Sequence, residues 1–335
     1  MYARAVAATT TALLGTAALL LPASDARAGA AHPTVIAHRG ASAYAPENTL
    51  AAVDRAAELG ISWVENDVQR TKDGELVVLH DDNLKRTTDA EQVFPDRAPW
   101  KVKDFTAAEI ARLDAGSWFS PKYAGTRVPT LEQFMDRLEL HHQKLLLEIK
   151  NPDLYPGIER QTLKVLDEEG WLDPHHLANR LIVQSFGADS IRTVHDLKPA
   201  VKTGFLGTPP EADLAGYAAF ADQINPSYSS ISRGYVASVH ALTGPHGRPM
   251  EVFTWTVNDA DTARLVAGYG VDGIISNKPD VVRDALPAGL RPGHESTAPA
   301  PGALSVAGRT VGTWTAKGST SSRSCGPSSV ATSVL

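Results

Sequence analysis

Residues 64–80 read VENDVQRTKDGELVVLH, and this stretch decides both the fold and the position of the site. Glu65 and Asp67 stand two positions apart in a run with β-strand character. A strand alternates its two faces with a period of two, so both carboxylates point the same way with Cα atoms roughly 6–7 Å apart. Two carboxylates at that spacing can bind one hard cation. The stretch therefore predicts a strand that carries an acidic metal-binding pair.

The dipeptide Asp73-Gly74 is a strong signal for a hairpin turn. When these two residues form the whole turn, Asp67 lies directly opposite His80 on the returning strand. The predicted turn thus brings an imidazole beside the carboxylates. The alternative is a surface hairpin whose acidic side chains are only solvated.

Residues 33–286 alternate short β-type runs with helical ones. Repeated βα units with apolar strands predict a parallel sheet that is covered by helices. Nine β-type runs are one more than a closed (β/α)8 barrel needs, and the hairpin explains the excess because 76–80 can return as an arm above the barrel. We therefore predict an α/β fold, a (β/α)8 TIM-type barrel with a hairpin arm. The runs are 34–38, 61–68, 76–80, 144–150, 180–186, 201–206, 222–228, 251–257 and 272–277.

A long connection follows His80. Residues 81–127 show only one short helical pattern, at 106–113, and a connection of that length is usually functional. Because it leaves from the arm, we expect a lid-like insertion over the site. Helical patterns elsewhere cover 48–59, 130–142, 157–170, 187–197, 211–220, 233–242 and 259–269.

Polar side chains recur where the predicted barrel strands end. In a (β/α)8 barrel these C-terminal ends form the mouth in which catalytic groups lie. Alternation along 144–150 places Glu148 and Lys150 on one face. We expect the mouth to hold three carboxylates, two histidines, two cationic side chains, an amide and an indole, namely Glu65, Asp67, Glu148, His38, His80, Arg39, Lys150, Gln184 and Trp255.

The residue types at this mouth indicate a reaction. Three carboxylates without a cysteine cluster form an oxygen-donor site that suits Mg²⁺ or Ca²⁺. Arg39 and Lys150 place positive charge where an anion would bind, and the arginine fork matches phosphate oxygens. His38 and His80 suit paired acid and base roles near neutral pH. The combination predicts cleavage of a phosphodiester.

Several segments together resemble the secreted bacterial glycerophosphodiester phosphodiesterases. They follow the order found in that family, span residues 37–279, and combine its acidic pair, hairpin and His-Asp signature. The segments are AHRGASAYAPENTLAA (37–52), VENDVQRTKDGELVVLHDDNLKRTT (64–88), FTAAEIARLDAGSWF (105–119), VPTLEQF (128–134), LLLEIK (145–150), VQSF (183–186), TWTVN (254–258) and VDGIISNKP (271–279).

The resemblance implies a (β/α)8 barrel that hydrolyses glycerophosphodiesters to glycerol 3-phosphate and an alcohol with one divalent cation. It implies that the carboxylates bind the metal and that the histidines are the acid/base pair. It implies that the cationic side chains contact phosphate and that the indole lines the substrate pocket. The residues are Glu65, Asp67 and Glu148 for the metal, His38 and His80, Arg39 and Lys150, and Trp255.

Two other functions fit parts of the same pattern. One is a related barrel phosphodiesterase that acts on intact phospholipids, of the phospholipase D-like or phosphoinositide phospholipase type. Such an enzyme would present exposed apolar loops to a membrane, and no obvious apolar loop run follows the first 28 residues. The other is a metal-stabilised binding protein on the same fold. Binding alone does not need both His38 and His80.

Composition and the two ends of the chain complete the expectations. A net charge of −6 argues against nucleic acid as a partner. Residues 1–28 combine Arg4, an apolar run and an A-x-A pattern, which predicts a signal peptide cleaved near Ala28 and a secreted protein without a stable membrane anchor. The alternative is an N-terminal helix that stays attached.

The last residues differ in composition from the barrel region. Residues 287–335 are rich in Pro, Gly, Ser, Thr and Ala, which predicts a disordered tail. Cys325 is the single cysteine of the chain, so no intramolecular disulfide can form.

Overall fold

The computed structural model describes residues 32–287. The predicted signal peptide, residues 1–28, lies outside the described residues, and so does the predicted tail from residue 288 onward. Both stay predictions. Among the described residues, no helix has the length and the apolar character needed to cross a membrane.

Nine strands form one sheet in the described part of the chain, and eight of them close into a barrel. The order is β1-β9-β8-β7-β6-β5-β4-β2, and parallel pairing of β1 with β2 closes the circle, while β3 pairs antiparallel with β2 outside it. The predicted TIM-type barrel with a hairpin arm is confirmed. The strands are β1 (Thr34–Ala37), β2 (Trp63–Arg70), β3 (Leu76–Val78), β4 (Lys144–Ile149), β5 (Leu181–Ser185), β6 (Lys202–Leu206), β7 (Gln223–Asn225), β8 (Glu251–Thr254) and β9 (Gly273–Ser276).

Helices follow the barrel strands, and every predicted helical segment contains one. Three further short helices, α2, α6 and α11, were not predicted, because four to seven residues are too few for a clear period of 3.6. The α-helices are α1 (Leu50–Glu58), α2 (Ala90–Val93), α3 (Ala107–Ile110), α4 (Leu131–Leu140), α5 (Ile158–Glu168), α6 (Pro174–Asn179), α7 (Ala188–Leu197), α8 (Leu214–Tyr217), α9 (Arg233–His240), α10 (Ala260–Tyr269) and α11 (Pro279–Ala285).

The insertion at 81–127 contains more regular structure than the sequence indicates. The expectation of one short helix is wrong, because the insertion contains both α2 and α3 as well as two single 3₁₀ turns, at Val102–Asp104 and Pro121–Tyr123. Buried side chains of the insertion form a small core of their own against Val77 and Leu79 of the arm. The insertion therefore packs on the hairpin.

An apolar layer of side chains lies inside the barrel, between its two ends. Leu146 on β4 faces inward and belongs to this layer, and each such buried side chain stabilises the fold by about 1.5–3 kcal/mol. Glu148 stands two residues further along β4 and faces the same way, one step nearer the C-terminal end. The barrel thus carries its polar layer directly above an apolar floor, which consists of Ile36, Leu146, Ile182, Phe253 and Ile275.

The hairpin register differs by one residue from the prediction. Val68 pairs with Val78, and Leu79 rather than His80 reaches Asp67, since the Leu79 amide donates to the Asp67 carbonyl at 2.9 Å. The predicted direct opposition of Asp67 and His80 is therefore wrong. The turn has three residues, 72–74, instead of two.

The turn residues show why the two-residue turn does not form. The Gly74 amide donates to the Thr71 carbonyl at 3.2 Å, and Gly74 has φ +93° while Asp73 does not adopt a positive φ. A type I′ turn needs positive φ at both central residues. The Asp73 carboxylate instead accepts from the Ala107 amide at 2.9 Å, at the start of α3. The aspartate thus ties the hairpin to the insertion.

A buried amide on β2 has no hydrogen-bond partner among the described residues. Asn66 pairs with Leu147 across the ladder and shares the helix-facing side of the sheet with Val64 and Val68. Its side chain is fully buried, and both Oδ1 and Nδ2 are without a partner. Burying an unsatisfied amide costs about 1–3 kcal/mol.

We therefore expect Asn66→Leu to stabilise the protein. The change replaces the unsatisfied amide by an apolar side chain with the same number and branching of heavy atoms. We expect a gain of about 1–2 kcal/mol in the free energy of unfolding, which corresponds to roughly 2–6 °C in Tm for a domain of this size. Calorimetry measures the shift. The exposed Asn179→Leu serves as the control, with a change within about 0.5 kcal/mol. A Tm for Asn66→Leu at or below that of the unmodified protein would contradict the assignment.

Candidate active site

A cavity opens at the C-terminal ends of the barrel strands, above the apolar floor. Eight of the nine side chains predicted for the mouth line it, and the ninth, Asp67, has an oxygen within 4.8 Å of the other two carboxylates. The lining residues are His38, Arg39, Glu65, His80, Glu148, Lys150, Gln184, Phe186, Leu206, Trp255, Thr256 and Ile275.

Three carboxylates converge on one point of this cavity. Glu65, Asp67 and Glu148 are buried, and each offers an oxygen within 4.8 Å of the others. Alternation on β2 places the first two on one face, as predicted, and Asp67 is the ladder partner of Glu148 on β4. Two neighbouring parallel strands therefore supply the whole cluster.

The electrostatics of the cluster fit a cation. Burial and the charges of the neighbouring carboxylates raise the pKa of Glu65 well above its ordinary value, and burial and the charge of Asp67 raise the pKa of Glu148 to about 8. Asp67 Oδ1 and Glu148 Oε1 accept no well-aligned hydrogen bond, although Lys150 Nζ lies 2.8 Å from Glu148 Oε1. Three buried carboxylates, two of which keep an oxygen without a well-aligned hydrogen bond, are ligands that a divalent cation can use.

A tight turn after β1 places Arg39 beside Glu65 and Asp67. The residue has φ +56°, its amide donates to Glu65 Oε2 at 2.8 Å, and its Nε lies 3.2 Å from Asp67 Oδ2. The next residue, Gly40, has φ +77°, and a Cβ there would lie 2.6 Å from the Ala52 methyl. Only glycine lets the chain pass this close to α1, so Gly40 holds Arg39 over the carboxylates.

Two opposing effects set the charge of Asp67. Burial alone would raise its pKa, but the charges of Arg39 and Lys150 outweigh burial and hold the pKa below its ordinary value. Lys150 Nζ lies 3.8 Å from Asp67 Oδ1. Asn48, which sequence analysis missed, donates from Nδ2 to Asp67 Oδ2 at 2.8 Å and so helps to fix that carboxylate.

His38 faces the cavity in a defined tautomer. Its Nδ1 lies 2.6 Å from Asn277 Oδ1, which also accepts from the Ser42 hydroxyl at 3.0 Å, so Nδ1 carries the proton. Nε2 points toward Glu65, with Oε2 at 4.0 Å. Burial, and next the charge of Arg39, lower the pKa of His38 to about 4. Burial and the charge of Arg39 thus favour the neutral imidazole, in which Nε2 carries the lone pair.

His80 reaches the cavity because the arm leaves its strand geometry after Val78. The Gln69 side chain donates to the carbonyls of Leu79 and His80 at 3.1 and 3.0 Å and also to that of Asp81, which fixes the end of the arm. Strand alternation no longer applies there. The turn of the chain, rather than cross-strand pairing with Asp67, brings His80 to the site.

A chain of charged side chains holds His80 and Arg39 together. His80 Nδ1 donates to Asp81 Oδ1 at 2.7 Å, and Arg86 binds both Asp81 and Glu47 at 2.8 Å. Glu47 in turn accepts from Arg39 Nη1 at 2.9 Å. The hydrogen bond from Arg86 outweighs burial and keeps the pKa of Asp81 below its ordinary value. Arg86 brings the insertion to the edge of the site.

Sequence analysis assigned no role to these supporting residues, which are Glu47, Asn48, Asp81, Arg86 and Asn277. Each lies inside a segment that carries the family resemblance, so the resemblance could have found them. Spacing could not, because the contacts join positions such as 47 and 86 that are close only in the folded chain.

Aromatic side chains form one wall of the cavity. Phe186 and Trp255 pack edge to face with ring centroids 5.7 Å apart, and Phe186 is about half exposed (51%). Trp255 Nε1 donates to the Asn225 carbonyl at 2.9 Å, which fixes the indole. Gln184 lies beside this wall and is almost completely buried. The cavity therefore has a charged side and an aromatic side.

A TIM-type barrel whose mouth combines a buried acidic cluster, two cationic side chains and two histidines belongs to the class of barrel phosphodiesterases. The sequence profile described as "Glycerophosphoryl diester phosphodiesterase family" matches residues 38–281. The chain belongs to this family, and it is a glycerophosphodiester phosphodiesterase by class.

Curated relatives and solved structures support that membership. The chain is 38% identical over 252 residues to a glycerophosphodiester phosphodiesterase of Caldanaerobacter subterraneus, covering 74% of this chain and 95% of the relative. It is 36% identical over 260 residues to one of Bacillus subtilis, covering 73% and 84%. An Oleispira antarctica phosphodiesterase, solved in complex with the product sn-glycerol-3-phosphate, is similar with TM-score 0.65 and 30% identity, covering 76% of this chain and 96% of that one.

Proposed function

We propose that the chain hydrolyses glycerophosphodiesters to sn-glycerol 3-phosphate and an alcohol, with one bound Ca²⁺ or Mg²⁺ and with His38 and His80 as the proton-transfer groups. The observation that carries the proposal is the cluster of three buried carboxylates within 4.8 Å, in the same cavity as both imidazoles. The product bound to the Oleispira antarctica neighbour supports glycerol 3-phosphate as the product here.

Glu65, Asp67 and Glu148 are the residues that would hold the cation. When bound, a divalent cation polarises a phosphoryl oxygen and offsets the negative charge that develops in the transition state. Arg39 and Lys150 add fixed positive charge at the same wall, where the equatorial oxygens of a phosphodiester would lie. Both side chains are held in position by ion pairs, Arg39 with Asp67 and Glu47 and Lys150 with Glu148. They therefore do not need to reorient during the reaction.

The two imidazoles supply the proton transfers. Both present Nε2 to the cavity because Nδ1 is engaged, by Asn277 in His38 and by Asp81 in His80. One Nε2 accepts the proton of the attacking hydroxyl or water, and the other donates a proton to the departing alkoxide. Phe186 and Trp255 shield one side of the cavity from water.

The test is an assay of product release from a substrate panel. We expect release of glycerol 3-phosphate from glycerophosphocholine, glycerophosphoethanolamine and glycerophosphoglycerol, with little turnover of intact phosphatidylcholine vesicles. Phosphate esters of the head group, or faster turnover of the vesicles than of every glycerophosphodiester, would contradict the proposal. The second result would favour the phospholipid-cleaving alternative.

We also propose that the mature protein is secreted, on the signal-like pattern of residues 1–28. Expression of the whole sequence in a bacterial host and N-terminal sequencing of the protein from the medium test the proposal. The expected N-terminus follows Ala28. Retention in the cells with Met1 or Tyr2 at the N-terminus would contradict it.

Arg86 is expected to act on turnover rather than on substrate affinity. Arg86→Gln leaves Asp81 and Glu47 without their shared cation, so both His80 and Arg39 lose part of their support. We expect kcat to fall about tenfold and KM to change by less than about threefold. Steady-state kinetics measures kcat and KM separately. Lys85→Gln is the matched control, because the exposed Lys85 contacts Glu91 and the Trp100 ring rather than Asp81 or Glu47. Equal kinetics for the two variants would show that the Arg86 contacts do not support the site.

A further inference from the structure

A row of buried amide side chains crosses the barrel interior from the cavity to the opposite end. Asn225 Nδ2 donates to Gln184 Oε1 at 2.9 Å and to Gln223 Oε1 at 3.4 Å. Gln223 Nε2 donates to Glu251 Oε2 at 2.8 Å. All three amide side chains are at most 1% exposed. We call Gln184, Asn225, Gln223 and Glu251 the amide row.

The far end of the amide row is an ion pair. Lys202 Nζ lies 2.6 Å from Glu251 Oε2, and both side chains are about one third exposed at the N-terminal end of the barrel. A carboxylate only accepts hydrogen bonds, so the atom of Gln223 that faces Glu251 has to be the NH₂ group. The carbonyl oxygen of Gln223 then points the other way, toward Asn225.

This fixed end determines the orientation of every amide in the row. With Gln223 presenting its oxygen, Asn225 must present its NH₂ group, which has two hydrogens for two acceptors. One hydrogen goes to Gln223 Oε1 and the other to Gln184 Oε1. The opposite orientation of Asn225 would set its oxygen against two other oxygens. Only a flip of all three amides would restore the hydrogen bonds, and Glu251 prevents that flip.

Two features of the barrel show that the row is a built arrangement. Gly204 on β6 faces inward, and a Cβ there would lie 2.7 Å from Asn225 Nδ2 and 3.2 Å from Gln223 Oε1, so the glycine makes room for the two amides. Asn225 Oδ1 is buried without a partner among the described residues. An unsatisfied carbonyl is costly. The orientation persists despite this cost because the rest of the row imposes it.

We propose that Asn225, Gln223 and Glu251 are positioning residues that fix the Gln184 carboxamide with its NH₂ group toward the cavity. There Gln184 Nε2 donates to a phosphate or hydroxyl oxygen of the substrate. The inference rests on the proposed function, since it assumes a phosphodiester in the cavity. Without the row, the amide could turn its oxygen toward the anion and repel it.

The first experiment inverts the row at its centre. Asn225→Asp leaves only acceptor oxygens at that position, so Gln184 has to turn its NH₂ group to the introduced carboxylate and its oxygen to the cavity. We expect affinity for inorganic phosphate, measured by calorimetry, to fall about 10–100-fold, with a matching rise in KM for glycerophosphocholine. In a Gln184→Ala background, only the direct repulsion between the introduced carboxylate and phosphate remains. The same change is therefore expected to lower phosphate affinity by a clearly smaller factor than it does with Gln184 present.

The second experiment reverses the row from its far end. The double variant Glu251→Lys/Lys202→Glu keeps the ion pair at a partly exposed place but presents a donor to Gln223, which reverses each amide in turn. We expect about a tenfold loss of phosphate affinity, again absent in the Gln184→Ala background. Lys202→Met is the control, because Glu251 stays an acceptor and the row keeps its orientation. The double variant also tests the proposal when Asn225→Asp does not fold.

The outcomes separate this inference from the proposed function. Release of no glycerol 3-phosphate by the unmodified enzyme refutes the proposed function, while the phosphate titrations still report on the row. Equal losses with and without Gln184, or no loss from either inversion, overturn the inference. Absence of phosphate binding by the unmodified enzyme overturns it as well.

Discussion

Complete removal of divalent cations is expected to lower hydrolysis of glycerophosphocholine by at least about 10³-fold. A cation at the site contributes several kcal/mol of charge stabilisation to the transition state, and about 1.4 kcal/mol corresponds to a factor of ten. Glu65, Asp67 and Glu148 are buried with their oxygens close together, and no amine or thiol ligand is part of the cluster. We expect activity to return on addition of Ca²⁺ or Mg²⁺.

The same cluster predicts a thermal shift that does not depend on turnover. A cation that binds only the folded protein stabilises it by about 2.7 kcal/mol at 100 times its Kd. We expect Tm to rise with added cation in the unmodified protein and to rise much less in Glu148→Gln. Lys150→Gln is the comparison variant, since it removes a neighbouring charge but no metal ligand. Full activity after chelation, with metal analysis confirming removal, would refute the cation requirement.

Strand alternation made the acidic cluster predictable from sequence. Glu65 and Asp67 share a face because they are two residues apart on β2, and the structure retains that relation. Glu148 was predictable for the same reason, since parallel strands of a barrel end at the same rim. The alternation of side chains along a strand depends on local backbone geometry alone, so it does not change with the tertiary contacts of the strand.

The hairpin shows where local signals fail. Asp73-Gly74 favours a two-residue turn, but the Asp73 carboxylate instead binds the Ala107 amide and the Lys72 amide donates to the Phe105 carbonyl at 2.8 Å. The insertion, 34 positions away in sequence, therefore selects the three-residue turn. His80 still reaches the cavity, for a reason that the local pattern does not contain. His80 lines the cavity as predicted, but the predicted hairpin register was wrong.

Supporting residues were not predictable from spacing because they join distant segments. Arg86 binds Glu47, which lies 39 positions away in sequence. Gln184 accepts from Asn225, and Gln223 links this pair to Glu251. Each is an ordinary polar residue in its own segment. Only the folded barrel brings these residues into contact. The hydrogen bonds that they form there determine which site side chain each one positions.

Replacement of His80 by alanine is expected to lower kcat by about 10²–10⁴-fold, the range that a positioned general acid or base contributes. The imidazole lies at the cavity with Nδ1 held by Asp81, so its loss removes one of the two proton-transfer groups and leaves the carboxylate cluster intact. We therefore expect little change in the cation-dependent rise of Tm. Asp81→Asn keeps an acceptor oxygen for His80 Nδ1, so we expect this variant to lower kcat only about tenfold.

The control for the His80 replacement is His175→Ala. His175 is an exposed histidine on α6, next to the N-terminal end of β5 and thus remote from the mouth of the barrel. Its replacement is expected to leave kcat unchanged within about twofold, as for most exposed positions. The measurement is the initial rate of glycerol 3-phosphate release at saturating substrate and cation. A kcat for His80→Ala within about threefold of the unmodified enzyme would contradict proton transfer by His80. The arm would then serve only to support the insertion beside the site.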